Sequence, residues 1–225
     1  MSATKIELGG EAFPTKDAAK KRIQAMLGSY QPGMIVNPFD SLILCDLVQR
    51  HPSAEQKIGA GIAGFQVMRN PEYPSSKCFA LVRTDGTATD FSYNECLRPT
   101  LPNQKAKNGF RSAIAPDILQ FKQNAFDEAD GPLFCPFTGE KLGFVGAHVD
   151  HAPPDTFANL LERFLTLEGI SLDGIEVKPS ADNSYSDRLA NESLESRWVA
   201  FHNHYANLRI VSETANLRII GKVQP

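Results

Sequence analysis

Two short stretches of the chain, in which polar residues alternate with apolar ones, determine the fold predicted for the C-terminal half. The first, Val145–His151, reads Val-Gly-Ala-His-Val-Asp-His and is followed by Pro153-Pro154. The second, Asn207–Asn216, reads Asn-Leu-Arg-Ile-Val-Ser-Glu-Thr-Ala-Asn. Because proline ends a central strand, the first stretch predicts a strand that stops at an Asp–His pair. The second stretch predicts a short strand over 208–211 and then a short helix that begins near Glu213.

These residue types suit the hydrolysis of a phosphodiester bond. A water molecule must lose a proton, and an imidazole has a pKa suited to accepting it. One hard divalent cation can stabilise the charge that develops on the leaving 3′-oxygen. Mg²⁺ and Mn²⁺ prefer oxygen ligands, so a carboxylate and an amide are the side chains expected to hold such a cation.

The Asp–His pair, the Asn that opens the second stretch and the Asn nine residues later resemble the HNH (ββα-metal) nuclease motif. The resemblance implies that Asp150 and Asn216 are ligands of one Mg²⁺ or Mn²⁺ ion and that His151 is the general base. It gives Asn207 the place of the middle motif residue, which ties the loop between the two strands. Neighbouring strand residues point to opposite faces, so the pair can work together only where the strand ends or bends. The Pro153-Pro154 pair is consistent with such an end.

Many HNH nucleases surround this core with two CxxC zinc knuckles, and this sequence departs from that pattern. The first knuckle would be Cys135-Pro-Phe-Thr138, with one cysteine, and the second would be Ser212-Glu-Thr-Ala215, with none. We therefore expect no structural zinc. Hydrophobic packing by two inserted helices, predicted over 155–168 and 194–205, is expected to support the motif instead.

Three further histidines lie near the motif. His148 shares the strand face of Asp150, and it is either an accessory ligand or a hydrogen-bonded structural residue. His202 and His204 stand two residues apart on a predicted helix, where side chains point about 200° apart, so we do not expect them to chelate one metal together. His202 is retained as an accessory residue near the active centre.

Lysines and arginines indicate where nucleic acid would bind. The candidate phosphate contacts are Lys20, Lys21, Arg22, Lys105, Lys107, Arg111 and Arg209. A solvated helix face is the alternative for the first three, and a merely soluble linker is the alternative for the next three. The net charge of −3 disfavours nucleic-acid binding by the whole chain, because affinity for phosphates comes largely from Lys and Arg. Residues 1–127 nevertheless contain 15 Lys and Arg against 12 Asp and Glu, so we expect much of the phosphate contact there.

The first hundred residues predict a small α+β domain. Two helices, near 15–28 and 37–51, precede three strands over 62–68, 78–84 and 87–93. The Asp85-Gly86 pair is typical of a hairpin turn between the last two strands.

This region also resembles the DCL (defective chloroplasts and leaves) domain. The segments that carry the resemblance are Phe13-Pro-Thr-Lys, Ala18-Ala-Lys-Lys-Arg-Ile, Tyr30-Gln-Pro-Gly, His51-Pro, Lys57-Ile-Gly, Gly61-Ile, Cys78-Phe, Arg83-Thr-Asp-Gly and Asp90-Phe-Ser-Tyr-Asn-Glu-Cys-Leu. Similar domains occur in plant organelle proteins linked to ribosomal RNA processing and in plant RNA polymerase subunits. The resemblance implies a setting in nucleic-acid metabolism and assigns no catalytic residue.

The predicted fold class is α+β, with two domains in 225 residues of which 42% are hydrophobic. Residues 1–98 form the DCL-like domain of two helices and an antiparallel β-meander. Residues 99–111 form a linker, and residues 112–225 form a ββα-metal (HNH) nuclease domain with inserted helices.

The leading functional hypothesis is a metal-dependent DNA endonuclease. The alternative is a non-catalytic nucleic-acid-binding or RNA-processing protein with a silenced nuclease fold. DNA is the expected partner and RNA is the alternative, and a palindromic cut would need a homodimer. No apolar run is long enough to span a membrane and no secretory signal is present, so we expect a cytoplasmic protein with four free cysteines.

Overall fold

The computed structural model describes residues 5–70, 75–178 and 186–219, apart from the side chains of residues 218 and 219. The described residues fall into two compact units. One unit contains the described parts of 5–101 together with Ser186, and the other contains the described parts of 102–178 and 187–219. Both units are mixtures of helices and small antiparallel sheets, as an α+β chain requires.

The N-terminal unit packs its helices against an antiparallel meander. Its elements are β1 Ile6–Leu8, β2 Glu11–Phe13, α1 Lys16–Ser29, α2 Pro38–Val48, α3 Ala54–Ile58, β3 Ile62–Arg69, β4 Lys77–Arg83, β5 Ala88–Phe91 and α4 Tyr93–Leu97. The sheet order is β3-β4-β5, with Phe65 opposite Leu81 and Leu81 opposite Thr89. The two predicted helices and the meander are confirmed, whereas the β1–β2 hairpin and the short α3 and α4 were not predicted.

Local capping explains why the two long helices begin where the sequence predicts. The Thr15 side chain accepts a hydrogen bond from the backbone N–H of Ala18, 3.0 Å away. The Asn37 side chain accepts one from the N–H of Asp40 at 2.9 Å, and Pro38 occupies the first turn. Both arrangements satisfy N–H groups that a helix start leaves without partners.

The β1–β2 hairpin depends on a glycine that lies against α2. Gly9 has a φ of +58°, in the left-handed region that side chains disfavour. A Cβ at this position would lie 2.6 Å from the backbone nitrogen of Ile43, so there is no room for one. The Gly9 N–H also donates to the Asp46 carboxylate at 2.7 Å, which joins the turn to α2.

A buried ion pair ties α3 to β5. Lys57 Nζ lies 3.8 Å from Asp90 Oδ1, and both side chains are almost completely buried. The same ammonium donates to Thr89 Oγ1 at 3.2 Å. Removing one partner of such a pair leaves the other charge buried without compensation, which destabilises a domain strongly.

The C-terminal unit is built on one long helix. Its elements are α5 Pro102–Asp127, β6 Ala147–His151, α6 Phe157–Glu168, a 3₁₀ turn Leu172–Gly174, α7 Glu192–Tyr205, β7 Leu208–Ser212 and a π-helix Ala215–Ile219. Its main core joins α5, α6 and α7 through Phe110, Ile114, Leu160, Phe164 and Trp198. A second, smaller cluster lies around the β6–β7 pair, with Leu142, Ala147, Val211 and Ala215 buried in it.

The linker expected at 99–111 is wrong for most of its length. The helix α5 begins at Pro102 and continues to Asp127, so most of the expected linker forms nearly three turns at its start. The polar composition and Gly109 favour a linker, but tertiary packing overrides them. Gly109 is buried against Leu189, and a Cβ there would lie 2.8 Å from a Leu189 methyl group. Glycine is therefore needed for close packing at this position.

A turn around Thr138 precedes β6, and a single bridge between Phe134 and Lys141 joins its two sides. The helix expected from Asp155 is confirmed as α6, which begins after an N-cap at Thr156 and ends at Gly169 with a φ of +65°. Among the described residues, no helix is both long and apolar enough to cross a bilayer.

Candidate active site on the C-terminal hairpin

The motif residues lie on an antiparallel pair of strands followed directly by a helical segment. β6 and β7 pair with Asp150 opposite Arg209 and His151 opposite Leu208. The helices α6 and α7 lie between the two strands in sequence, and we use the name hairpin for this antiparallel β6–β7 pair. Past the end of β6, the Ala152 N–H donates to the Asn207 carbonyl at 2.8 Å. The backbone carbonyl of Asn207 thus extends the pairing of the two strands by one hydrogen bond. Asn207 is the residue that matches the middle Asn of the HNH motif.

The two members of the Asp–His pair occupy opposite faces of this hairpin, as neighbours on a strand do. Asp150 shares its face with His148 and with its cross-strand partner Arg209. Asn216 reaches the same face, since its Nδ2 lies 3.0 Å from Nδ1 of His148. The structure therefore brings His148, Asp150 and Asn216 to one face and leaves His151 on the other.

Asp150 is already neutralised by an arginine. Nε and Nη2 of Arg209 lie 2.7 and 2.6 Å from Asp150 Oδ2, and the guanidinium lies 4.6 Å from the ring centre of Phe137. A charge-assisted pair with this geometry is among the stronger polar contacts in a protein. Arg209, expected to contact phosphate, is thus held by the carboxylate expected to bind the metal.

His151 pairs with a second histidine. Its Nε2 lies 2.8 Å from Nε2 of His202, which is completely buried on α7 beside Trp198. A neutral imidazole has one N–H, so one ring donates and the other accepts. Burial, with the charges of His202 and Arg111 adding to it, lowers the pKa of His151 to about 4. Burial also lowers the pKa of His202, so both rings are neutral at physiological pH.

The donor chemistry on the other face fits a divalent cation. A carboxylate from Asp150 and an amide oxygen from Asn216 are oxygen ligands of the kind that Mg²⁺ and Mn²⁺ prefer, and His148 adds a nitrogen. Within the described ranges, no group of three or more His, Cys, Asp and Glu side chains could hold a metal, so Asn216 is needed to complete a set. The Asn216 Nδ2 group is the one that faces His148, and Arg209 must leave Asp150 before the carboxylate can serve a cation.

The four positions where zinc knuckles would place their ligands meet beside the hairpin. Cys135 Sγ accepts a hydrogen bond from the Ser212 N–H at 3.3 Å, and Thr138 Oγ1 lies 3.4 Å from Ser212 Oγ. The Ala215 N–H donates to Ser212 Oγ at 3.1 Å. Cys135, Ser212 and Ala215 are all buried. We call these four residues the knuckle cluster.

Hydrogen bonds give the thiol of the knuckle cluster unusual acidity. Burial alone raises the pKa of the Cys135 thiol, but hydrogen bonds from Ser212, Thr138 and the backbone outweigh it and lower the pKa to about 6. The inserted helices also contact the motif, since Phe157 of α6 and His202 of α7 both lie against His151. α6 and α7 pack with α5 in the main core, while the knuckle cluster and the small apolar cluster hold the hairpin.

The other residues expected to contact phosphate differ in whether their charges are already paired and in whether they are exposed. Arg22 is engaged in ion pairs with Asp40 at 2.9 Å and Glu11 at 3.5 Å, whereas Lys20 and Lys21 lie on the accessible side of α1. Lys105, Lys107 and Arg111 lie on α5 instead of on a linker. Arg111 stacks 4.2 Å from the ring centre of Phe157, beside His151. His204, by contrast, is exposed on α7.

Sequence reasoning missed two groups that the structure brings to this site. Lys122 lies eleven residues beyond Arg111 on α5, and it donates to the Ala147 carbonyl at the start of β6. The contact of Phe137 with Arg209 was also missed. Both depend on strand and helix placement that no local pattern reveals.

Comparisons with known proteins concern about the first half of the chain. Residues 24–97 match a family described as a protein of unknown function (DUF3223). Protein EMBRYO DEFECTIVE 514 of Arabidopsis thaliana is 38% identical over 98 residues, which cover 43% of this chain and 48% of that protein. DNA-directed RNA polymerase IV subunit 1 of the same plant is 36% identical over 104 residues, covering 46% of this chain and 6% of that subunit.

A chloroplast protein is also similar to this chain. Protein DCL homolog, chloroplastic, of Arabidopsis thaliana is 44% identical over 52 residues, covering 23% of this chain and 24% of that protein. The chain thus spans about half or less of the length of these relatives. The N-terminal unit carries a DUF3223 domain and is homologous to proteins of the DCL family.

Proposed function

We propose that the C-terminal unit is a ββα-metal nuclease of the HNH type that hydrolyses phosphodiester bonds, with DNA as the expected substrate. The observation that carries this proposal is the knuckle cluster. Cys135 and Ser212 lie 77 residues apart in sequence, yet they meet where the motif would join its two knuckles. The order strand, strand, helix and the positions of Asp150, His151 and Asn216 on it add further support.

In this scheme His151 takes the proton from the attacking water. It is the last residue of β6, it is neutral at physiological pH, and its Nε2 is held by His202. That contact fixes the orientation of the ring and leaves Nδ1 as the second nitrogen available for proton transfer. His202 is a positioning residue in this scheme.

The opposite face of the hairpin holds the charged partners. A divalent cation bound by Asp150 and Asn216 would stabilise the leaving 3′-oxygen as a Lewis acid. Asp150 and His151 are the last two residues of β6, so the scissile phosphate would have to lie at the end of the strand, where one substrate can reach both faces. Until then, Arg209 neutralises Asp150 and keeps its carboxylate in place. A phosphate group offers Arg209 another partner of the same charge and geometry.

Plasmid nicking tests this proposal. We expect the full chain to nick supercoiled DNA with Mg²⁺ or Mn²⁺ and to lose this activity in EDTA. His151→Ala should reduce nicking at least a hundredfold, because general base catalysis contributes about 10²–10⁴ in rate. The matched control is His204→Ala, which removes an exposed histidine from α7 and should cut as the wild type does. A wild-type chain that cuts neither DNA nor RNA with any divalent metal would overturn the enzyme proposal.

A second candidate function is nucleic-acid binding without cleavage, by a silenced nuclease fold. Two observations favour it: Arg209 occupies the carboxylate expected to bind metal, and the polymerase subunit that shares the N-terminal region is named as part of a DNA-directed RNA polymerase. Under this function, binding to DNA or RNA persists in EDTA and no metal produces cleavage. Parallel binding and nicking assays on single-stranded RNA and duplex DNA separate the two candidates.

A further inference from the structure

A groove runs between α5 and β6 on the face of the hairpin that carries His151. It has a volume of about 450 Å³. Its walls are largely apolar, formed by Ile114, Ile118, Leu119, Ala147, Val149 and Phe157. Arg111, Lys122 and His151 supply its basic groups.

The two cations of the groove lack an acidic partner within the described parts of the chain. Arg111 lies over the ring of Phe157, and Lys122 Nζ donates to the Ala147 carbonyl at 2.6 Å and lies 4.6 Å from the ring centre of Phe144. Burial lowers the pKa of both side chains. Their charges are thus partly desolvated and uncompensated, which favours a ligand that brings negative charge to both.

The spacing of these cations suits an extended polyanion. Eleven residues of helix separate Arg111 from Lys122, a rise of roughly 16 Å. β6 runs along the groove with Ala147 near Lys122 and His151 near Arg111. A stacked strand carries one phosphate per ~3.4 Å, so this length spans about five phosphates, and fewer of a more extended strand.

We propose that the groove between α5 and β6 binds a single strand of nucleic acid, with Arg111 and Lys122 as its phosphate contacts. This inference rests on the proposed function and names its substrate class, a single strand of the kind that unpaired regions of supercoiled DNA supply. Cations beside aromatic faces are how proteins hold unpaired strands, because bases stack on the rings while phosphates meet the charges. The exposed ring of Phe144, beside Lys122, offers such a face. A duplex keeps its bases stacked inside, so it cannot present them to these groups.

Fluorescence anisotropy of a labelled oligonucleotide tests the groove in EDTA, where no cleavage occurs. We expect the full chain to bind a single-stranded oligonucleotide more tightly than the same sequence as a duplex. Arg111→Gln and Lys122→Gln should each weaken binding by about tenfold, the loss of one charge-assisted contact. Each should also reduce the slope of log affinity against log salt by about 0.7. A role in folding alone would not change this slope.

Matched controls remove the same charge elsewhere in the unit. Arg163→Gln and Lys178→Gln delete cations that are paired with Asp155 and Glu192, and they should leave the slope unchanged. Lys122→Arg keeps the charge and should bind with the wild-type slope, even if its contact with Ala147 changes.

The outcomes separate this inference from the proposed function. The proposal that the groove binds a single strand is overturned if Arg111→Gln and Lys122→Gln both keep the wild-type affinity and salt slope. It is also overturned if the duplex binds more tightly than the single strand, or if the control variants have an equal effect. Binding through the groove without any nicking supports the groove and overturns the nuclease proposal. If nicking is intact and the groove variants bind as the wild type does, the nuclease proposal is supported and the proposal of strand binding in the groove is overturned.

Discussion

The pairing of His151 with His202 is the residue-scale feature that most affects the chemistry of the site. The two Nε2 atoms lie 2.8 Å apart, so the two rings cannot both carry a proton on this axis. The sequence predicts His202 only as an accessory group, because 51 residues separate it from His151. The structure makes it the group that orients the expected general base.

The histidine pair predicts how stability depends on pH. In the folded chain the pKa of His151 is about 4 and that of His202 is also lowered, whereas an unfolded histidine titrates near 6.5. Between these values the unfolded chain binds more protons, so stability rises with pH there. We expect the melting temperature to fall as the pH is lowered from about 6.5 towards 4.

Scanning calorimetry across this range checks the dependence. His202→Gln removes one of the buried titrating groups, so its melting temperature should fall less steeply than that of the wild type. His204→Gln removes an exposed histidine and should follow the wild-type curve. A His202→Gln curve as steep as the wild type would contradict the assignment of the pH dependence to this pair.

At the scale of elements, the β6–β7 hairpin is held by polar contacts at its root. The knuckle cluster joins the turn after Cys135 to the end of β7, and the small apolar cluster fills the space around it. Hydrogen bonds between Cys135, Thr138 and Ser212 thus lie at the positions where two zinc knuckles would supply four thiolate ligands.

This arrangement predicts that a zinc site can be built into the hairpin. Thr138→Cys, Ser212→Cys and Ala215→Cys together with native Cys135 would supply four thiolates at CxxC spacing, the ligand set of structural zinc sites. We expect the triple variant to bind one Zn²⁺ and to melt about 5 °C higher with zinc at a hundredfold excess over its dissociation constant.

Cobalt substitution and calorimetry check the zinc site. Tetrahedral Co²⁺–thiolate absorption should appear in the triple variant and disappear when Cys135→Ser is added to it. Absence of metal binding in a folded triple variant would mean that the four positions do not share one centre, and it would weaken the nuclease proposal.

At the scale of the whole molecule, the chain consists of two units with separate cores. The core of the N-terminal unit includes Ile23, Leu44, Phe65, Phe79 and Phe91, all from residues before 102. The C-terminal unit contains every residue of the hairpin site and of the groove. Each unit therefore has its own core, and the proposed chemistry belongs to the C-terminal unit.

This division predicts that the fragment 1–101 folds alone. Its core is of the size that a small domain of about a hundred residues needs for cooperative unfolding. We expect a single thermal transition by circular dichroism, dispersed amide resonances in an NMR spectrum, and no nicking activity. The fragment 102–225 is the matched comparison and should retain whatever nicking the full chain has. Nicking by fragment 1–101, or an unfolded spectrum, would contradict the division.

The features that the sequence determined by itself are those set by interactions between residues close together in the chain. Caps at Thr15 and Asn37 and the periods of the apolar residues predict where most long helices and the meander lie, because these signals act within a few residues. The spacing of Asp150, His151 and Asn216 likewise predicts the candidate site, and the resemblance of the first hundred residues to DCL proteins agrees with the comparisons.

Only the tertiary structure decided which side chains meet. The pairing register places Arg209 against Asp150, packing against Leu189 turns the expected linker into α5, and the placement of α7 brings His202 to His151. Each of these contacts joins residues that are 51 to 80 positions apart. Their energies depend on burial and on distances set by the whole unit, and no pattern within a short window of sequence contains that information.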